Sequence, residues 1–388
     1  MQIVAINWHV YLLTKSPLAL GGVGLVRVLP IVLCSLAGGV IADAVDRKRL
    51  MLVTQGVMLI CAALLAGLTA AGRESLWSIY LLTAIGSAAI AFDNPARQAM
   101  LPSLVPPKDF AGAVSLGVVV FNSATIGGPA VAGLLLGFRG PALIYGINAI
   151  SFLAVIGALL FIRGGRRPEP EREEMRGISL AAMREGLRFV WRTPIIVQTM
   201  TLDFVATFFA SATALLPIYA AEILYVGARG LGLLAAAPGA GSVITGLMMA
   251  KRGSVRRQGK LVVLSVAVYG AATVMFGVSR WFWLSIGMLA IVGAADTVST
   301  VLRQTIRQLV TPDHLRGRMT SVNMIFFMGG PQLGELEAGV AAALIGVQLS
   351  VVTGGVGCLI AAAIAGFLAK NLWQYDGHLP ADGARRAS

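Results

Sequence analysis

Charge is scarce in this chain. Asp, Glu, Lys and Arg make up 13% of its 388 residues, about half the share of an ordinary soluble domain. That excludes a globule solvated by water on all sides. Acidic residues are the scarcer sign: 18 Asp plus Glu against 31 Lys plus Arg leave a net charge of +13. Cysteine is nearly missing, and Cys34, Cys61 and Cys358 all fall in apolar segments without metal-ligand spacing. They read as small buried hydrophobes rather than as a disulfide framework. Of the three histidines, His314 sits beside Asp313 in a polar turn and His378 lies in the tail, so no metal site is expected. Gly21-Gly22-Val23-Gly24 lacks the lysine of a phosphate-binding loop and opens an apolar segment instead of following a strand. ATP is therefore disfavoured as an energy source. With no catalytic triad, paired carboxylates in water or zinc spacing in the sequence, neither an enzyme nor a cofactor is expected. The start, Met1-Gln2-Ile3-Val4-Ala5, has no basic region and no small-residue cleavage site, so it does not read as a signal peptide.

What the chain has instead is apolar length. Its composition is 57% hydrophobic with a mean hydropathy of +0.80. A spanning helix needs about 20 mainly apolar residues. Such segments recur at 20–42, 50–71, 76–99, 110–137, 141–162, 194–224, 230–250, 260–279, 281–303, 318–345 and 348–370, with a short one at 1–13. The runs are continuous rather than alternating, which selects helices over a barrel. Only about 13 residues precede Thr14-Lys15-Ser16-Pro17, roughly 20 Å of helix against a hydrocarbon core near 30 Å. The first helix is therefore expected to be truncated, the chain starting inside it.

The basic charge is arranged by turn. The turns at 43–49, 101–110, 163–192, 251–260 and 307–318, with the tail from Lys370, hold 23 of the 31 Lys and Arg. The alternate turns hold only Lys15, Arg73, Arg139, Arg229 and Arg280. Cytoplasmic loops carry the excess of Lys and Arg, so the first set and the C-terminus are expected to face the cytoplasm. The net charge is then topology, with attraction to anionic membrane lipids added, and not a sign of nucleic acid.

Between the second and third spans runs Gly38-Gly39-Val40-Ile41-Ala42-Asp43-Ala44-Val45-Asp46-Arg47-Lys48-Arg49. This resembles the A-motif of the major facilitator superfamily, a class of secondary transporters: glycine, three residues, aspartate, a basic residue, any residue, glycine, then two basic residues. Gly39, Asp43, Arg47 and Lys48 match; Ala44 replaces a basic residue and Asp46 the second glycine. The phrases Ile6-Asn7-Trp8-His9-Val10-Tyr11, Phe92-Asp93-Asn94-Pro95-Ala96-Arg97-Gln98 and Leu315-Arg316-Gly317-Arg318 resemble the bacterial branch of transmembrane secretion effectors, which includes enterobactin-exporter-like permeases. The resemblance covers essentially the whole chain. It implies an all-α integral membrane protein of the major facilitator fold, two six-helix bundles related by a parallel pseudo-two-fold repeat.

The chain divides accordingly. Residues 1–162 would form the first bundle and 194–370 the second, with 371–388 as a cytoplasmic tail. Residues 163–193 are the one long polar stretch, a linker followed by Leu180, Met183, Leu187, Val190 and Trp191 at the spacing of an amphipathic surface helix. The halves echo one another. Arg97-Gln98 matches Arg303-Gln304, Leu104-Val105-Pro106-Pro107 matches Leu309-Val310-Thr311-Pro312, and Gly127-Gly128-Pro129 matches Gly329-Gly330-Pro331. Parallel repeats about an axis along the membrane normal place substrate near the midplane.

Intramembrane ionisable groups each cost about 2.5–3.5 kcal/mol on insertion scales and mark candidate sites. Arg27, far from either end of its span, has to face the bundle interior and meet an anionic substrate group or a structural partner. Asp93 and Arg97, four apart, share a helix face and can pair. The family resemblance implies a gating network of Asp43, Arg47 and Asp93 that latches the cytoplasmic side, with Gly39 allowing the second and eleventh spans to approach. Gly128, Pro129 and Gly133 resemble the C-motif of facilitator antiporters in the fifth span, with Ala124 and Ala132 where that family prefers glycine. Small residues of this kind also serve any close helix contact. Glu335 and Glu337, two apart, point about 200° from each other, so one can line a path while the other meets a neighbouring helix. Asp203 and Asp296 are the other intramembrane acids, and Glu337 and Asp203 rank first for carrying a proton. A carboxylate withdrawn from water takes up a proton more readily. His9 and Asn122 could line a cavity, although a lone histidine on an apolar helix is more often simply hydrogen-bonded. Together these features, with the resemblance, imply proton-driven antiport: efflux of a small amphipathic molecule, a siderophore or drug-like compound, across the bacterial cytoplasmic membrane by alternating access. Metabolite uptake, facilitated diffusion and a membrane protein that transports nothing are the alternatives.

Overall fold

The computed structural model describes residues 1–162, 187–252, 257–312 and 315–376; at 35–44, 212, 252 and several positions in 99–118 and 316–328 only the backbone is described. Among the described residues the secondary structure is helical, without strands. The long helices among the described residues are α1 (Gln2–Thr14), α2 (Pro17–Ala44), α3 (Arg47–Ala70), α4 (Leu76–Leu104), α5 (Phe110–Phe161), α6 (Pro194–Phe209), α7 (Gly227–Arg252), α8 (Gln258–Val278), α9 (Phe282–Val310), α10 (Arg316–Ile345) and α11 (Val347–Leu368). At 1.5 Å per residue the 52 residues of α5 would run more than twice the hydrocarbon thickness. The helix breaks where the chemistry allows it, at Gly140 (φ 70°, ψ −170°), with Pro141 opening the second arm. That conformation is open to glycine and nearly closed to other residues. The two arms are the fifth and sixth spans. Among the described residues nine segments are long and apolar enough to cross a bilayer, Ser115–Phe161 counting once.

Polar residues finish the helices where the apolar runs stop. The Asp46 carboxylate accepts from the Arg49 N–H at 3.0 Å and starts α3. Ser75 and Ser78 exchange side-chain and backbone bonds in a capping box at α4. The Lys48 ammonium donates to the carbonyls of Ile162 (2.7 Å) and Leu160 (3.3 Å), satisfying acceptors that the end of α5 leaves open.

The chain divides into two compact units, whose described residues are 1–162 with 213–236, and 187–212 with 237–252, 257–312 and 315–376. In the first, α2 packs on α4, α3 on α4 and α5, and α1 on α5. In the second, α8 packs on α9 and α11, and α6 on α10. The α8–α11 contact is close because Gly270 and Gly355 face each other across it. A final turn, Lys370–Trp373, closes the second unit: Leu372 is fully buried, its N–H donates to Gln198 Oε1 at 3.1 Å, and Gly259 N–H donates to the Tyr375 carbonyl at 3.1 Å.

The internal repeat is visible in the packing of each unit. A Cβ on Gly128 of α5 would meet the Met1 backbone nitrogen at 3.3 Å, at the start of α1. On α10, Gly330 abuts Thr207 and Gly334 abuts the Phe208 carbonyl, both on α6. The fifth span thus lies on the first, and the eleventh on the seventh.

Candidate functional site

In the second unit, polar side chains converge deep between α6, α8 and α9. The Asp203 Oδ1 of α6 pairs with Arg303 Nη2 of α9 at 2.6 Å, with the two side chains 5% and 2% exposed. Neither charge has water around it, so each depends on the other. Arg303 also donates to Thr300 Oγ1 at 3.1 Å. Asp296, two turns earlier on α9, lies within electrostatic reach of both Arg303 and Asp203 and beside the Thr300 hydroxyl. It stands fourteen residues from either end of the 29-residue helix Phe282–Val310, at mid-span. A small cleft opens on this group, lined by Thr207, Ser265, Tyr269, Asp296, Ser299 and Arg303. Arg307, counted from the sequence among the turn charges, is instead buried, and its Nη1 donates to Asn323 Oδ1 of α10 at 2.5 Å. Two carboxylates and two guanidiniums therefore share one low-dielectric region, close to neutral when all are ionised. Removing or adding one proton there is felt by every member.

In the first unit Asp93 of α4 is buried and accepts from three directions. Thr54 Oγ1 approaches at 2.8 Å, Gln55 Nε2 at 3.0 Å and Arg97 Nη2 at 2.7 Å. The Arg97 side chain is 56% exposed, so the carboxylate is held chiefly by α3. Arg47 is half-buried and engaged with a partner. Gly39 and Asp43 belong to the backbone-only part of α2 and lie outside the described side chains.

A second polar group of the first unit surrounds His9, which is 3% exposed. Its Nδ1 lies 3.2 Å from the Tyr145 hydroxyl on the second arm of α5, and its Nε2 lies 3.7 Å from Glu74 Oε1 in the turn before α4. Two residues on, Tyr11 donates to Glu222 Oε1 at 2.8 Å, with the Lys15 ammonium 4.0 Å from its ring centre.

The small residues of α5 meet the start of α7 at backbone contact. Gly133 faces Gly232 so closely that a Cβ on either would fall inside the other's backbone, and the Pro129 carbonyl borders the same spot. Gly137 abuts the Arg229 side chain, which lies 5.0 Å from the centre of the Phe138 ring.

Of the other sequence candidates, Arg27 is half-buried and Glu335 buried, each engaged with a partner, while Glu337 is half-buried and Asn122 is exposed on α5. Sequence reasoning missed Glu74, Tyr145 and the partners Thr54, Gln55 and Asn323, and it weighed Arg303 only as part of the repeat. The available signal was scarcity. Of the 18 acids, Glu74 and Glu222 are those near the turns poor in Lys and Arg, and α1 reaches both.

A helical membrane bundle with buried, compensated charges at mid-span defines a membrane transporter. The sequence profile of transmembrane secretion effectors matches residues 1–380, and the chain belongs to that family of the major facilitator superfamily. Enterobactin exporter EntS of Shigella dysenteriae serotype 1 (strain Sd197) is 27% identical over 328 residues, 84% of this chain and 77% of that protein. Multidrug efflux pump Tap of Mycolicibacterium fortuitum is 27% identical over 386 residues, 95% of this chain and 92% of that protein. The fold is shared with a bacterial homolog of the human lysosomal transporter Spinster (TM-score 0.74, 17% identity, 98% of this chain and 96% of that one). A D-xylose-proton symporter is similar in the same way (TM-score 0.71, 11% identity, 96% and 93%). The chain is a multi-pass transporter and not an enzyme.

Proposed function

We propose that this protein is a proton-coupled exporter of a small amphipathic molecule, siderophore-like or drug-like, working by antiport in the bacterial cytoplasmic membrane with its C-terminus inside. The observation that carries the reading is Asp296: an acid at mid-span, lining a cleft, next to an Arg303 already committed to Asp203. A carboxylate so placed can hold or release a proton without breaking the 2.6 Å pair beside it. Relatives named as an enterobactin exporter and a multidrug efflux pump support the direction and substrate class.

Two six-helix repeats, 1–162 and 194–370, would alternate access around the midplane. Coupling requires that proton and substrate each bind the two states with different affinity, since equal affinity shifts nothing. Asp296 and Glu337 are the proposed proton acids, with Asp203 holding Arg303 in place. Asp43, Arg47, Asp93 and Arg97 would form the cytoplasmic gate, and Gly128, Pro129 and Gly133 the close-packed seam.

Purified protein in liposomes with an internal pH dye tests this. Catecholate siderophores and amphipathic cations should each be tried as substrates. Substrate-evoked proton movement is expected in the wild type and absent in Asp296→Asn, with Glu337→Gln run alongside. Transport that proceeds in Asp296→Asn at the wild-type rate and proton stoichiometry would overturn the assignment.

A further inference from the structure

The group around His9 belongs to the first unit and the Asp203–Arg303 cluster to the second, and its chemistry is unusual for a packing contact. His9 is buried and Tyr145 is fully buried, while Glu74 keeps 21% of its side chain exposed. The order is then water, carboxylate, imidazole, phenol. His9 lies six residues before Lys15, about 9 Å along the helix from that turn.

We propose that Glu74, His9 and Tyr145 form a proton-binding relay at the Lys15 end of the first unit. The imidazole can take a second proton in place. When neutral, Nδ1–H donates to the Tyr145 oxygen at 3.2 Å and the Nε2 lone pair faces Glu74 Oε1 at 3.7 Å. When charged, Nε2–H pairs with the Glu74 carboxylate and the Nδ1–H bond is unchanged. The proton comes from water to the Glu74 carboxyl and passes from its oxygen to Nε2, leaving carboxylate and imidazolium. Glu74 Oε2 is buried without a hydrogen-bond partner among the described residues, an unmet acceptor whose cost a proton on the carboxyl would relieve. Histidine is the side chain whose charge changes between about pH 5 and 8.

The groups that face His9 from the neighbouring elements are few. The turn before α4 brings Glu74, with Arg73 exposed beside it, and the second arm of α5 brings Tyr145. On α4, Tyr80 donates to the Ala19 carbonyl and Asp93 is held by Thr54, Gln55 and Arg97. On α2, Arg27 stands ten residues beyond Pro17, is half-buried and has a partner. From the 216–223 segment, Tyr219 is buried and Glu222 binds Tyr11. Tyr11 and Lys15 of α1 itself interact with each other. Glu74 is thus the carboxylate that sets the charge at His9. By the charge asymmetry of the turns this end faces outside. The relay's part in antiport, uptake of the external proton, rests on the function proposed above.

The chain contains three histidines, which makes a direct test possible. Full-length His314→Asn/His378→Asn protein, labelled with 15N-histidine, carries His9 as the single labelled imidazole. Its two ring nitrogens are followed by NMR from pH 4.5 to 9.5. One reversible titration is expected. In Glu74→Gln, His9 should need about ten-fold more protons to charge, because an opposite charge at this range favours the charged form. Tyr145→Phe should leave the titration present but change the balance of ring tautomers. A His9 fixed in one state across the range would overturn the proposal, as would a Glu74→Gln curve within two-fold of the parent. Transport is read separately. Should substrate evoke no proton movement while His9 still titrates through Glu74, antiport fails and the proton site stands.

Discussion

Replacing Asp203 by asparagine keeps the shape of the side chain and removes one charge from a region with no water to repay the loss. Its partner Arg303 is 2% exposed and 2.6 Å away, and a guanidinium cannot shed its proton. Breaking a buried pair from one side typically costs about 3–5 kcal/mol. Asp296 lies within reach of Arg303 and takes over part of the compensation, so about 3 kcal/mol is expected for Asp203→Asn. For a unit of about 200 residues that is a fall of ~6–12 °C in Tm. The converse change, Arg303→Met, should cost less, about 2 kcal/mol, because a stranded carboxylate can neutralise itself by taking a proton. The double variant should cost about 3 kcal/mol rather than the roughly 5 kcal/mol of the two singles added, a coupling of about 2 kcal/mol. Thermal unfolding in detergent, followed by size-exclusion fluorescence, reads all three. Asp203→Asn within 2 °C of wild type, or a double variant equal to the sum of the singles, would refute the reasoning.

Five further substitutions probe contacts of different kinds. Arg97→Ala should cost less than about 1 kcal/mol, since its side chain is more than half exposed and solvent screens the pair with Asp93; Asp93→Ala, which strands the buried Gln55 donor while Thr54 keeps the Met51 carbonyl, should cost about 1–3 kcal/mol in the same unfolding assay. Gly133→Leu places a side chain inside the Gly232 backbone, and monodisperse protein at wild-type yield on size exclusion would contradict that contact. Gly140→Val forces a β-branched residue into φ 70°, costing about 1–3 kcal/mol, seen as a lower Tm. Leu372→Ala should cost about 2–4 kcal/mol, because the side chain is fully buried against the second unit, and an unchanged Tm would mean that the Lys370–Trp373 turn does not dock in solution.

The spans were legible because lipid leaves the backbone no partner except itself: a continuous apolar run of sufficient length has to be helix. The repeat was legible too, and Gly128 and Gly330 show why. Close helix contact needs small residues at the crossing, so the requirement is written locally in Gly127-Gly128-Pro129 and Gly329-Gly330-Pro331. Gly140 was harder to weigh, since one glycine among 46 carries its meaning only through the proline that follows. The ion pairs were not legible as pairs. Asp203 and Arg303 are a hundred residues apart, and which faces of α6 and α9 meet is decided by side-chain packing along both helices, not by the residues that pair. Asp93 shows the same limit at shorter range. Helical spacing supplied Arg97, but the partners that bury the carboxylate, Thr54 and Gln55, come from the neighbouring helix.

Scarcity makes the remaining acids informative. The Lys15 end of the chain has two, Glu74 and Glu222, and both contact α1, through His9 and Tyr11. Residues two apart on a helix point to nearly opposite sides, so the two acids grip this short helix from different directions. Apolar contacts alone leave the rotation of a 13-residue helix weakly specified, and polar contacts on two faces fix it. The Tyr11–Glu222 bond can do this without changing its protons. His9 differs: its contact with Glu74 would strengthen if the imidazole charged, so under the proposed relay the side that holds the helix would also sense pH. A structural clamp needs only the first kind of contact. An ionisable imidazole opposite it, 3.7 Å from a carboxylate, is the strongest reason to look for proton binding at His9.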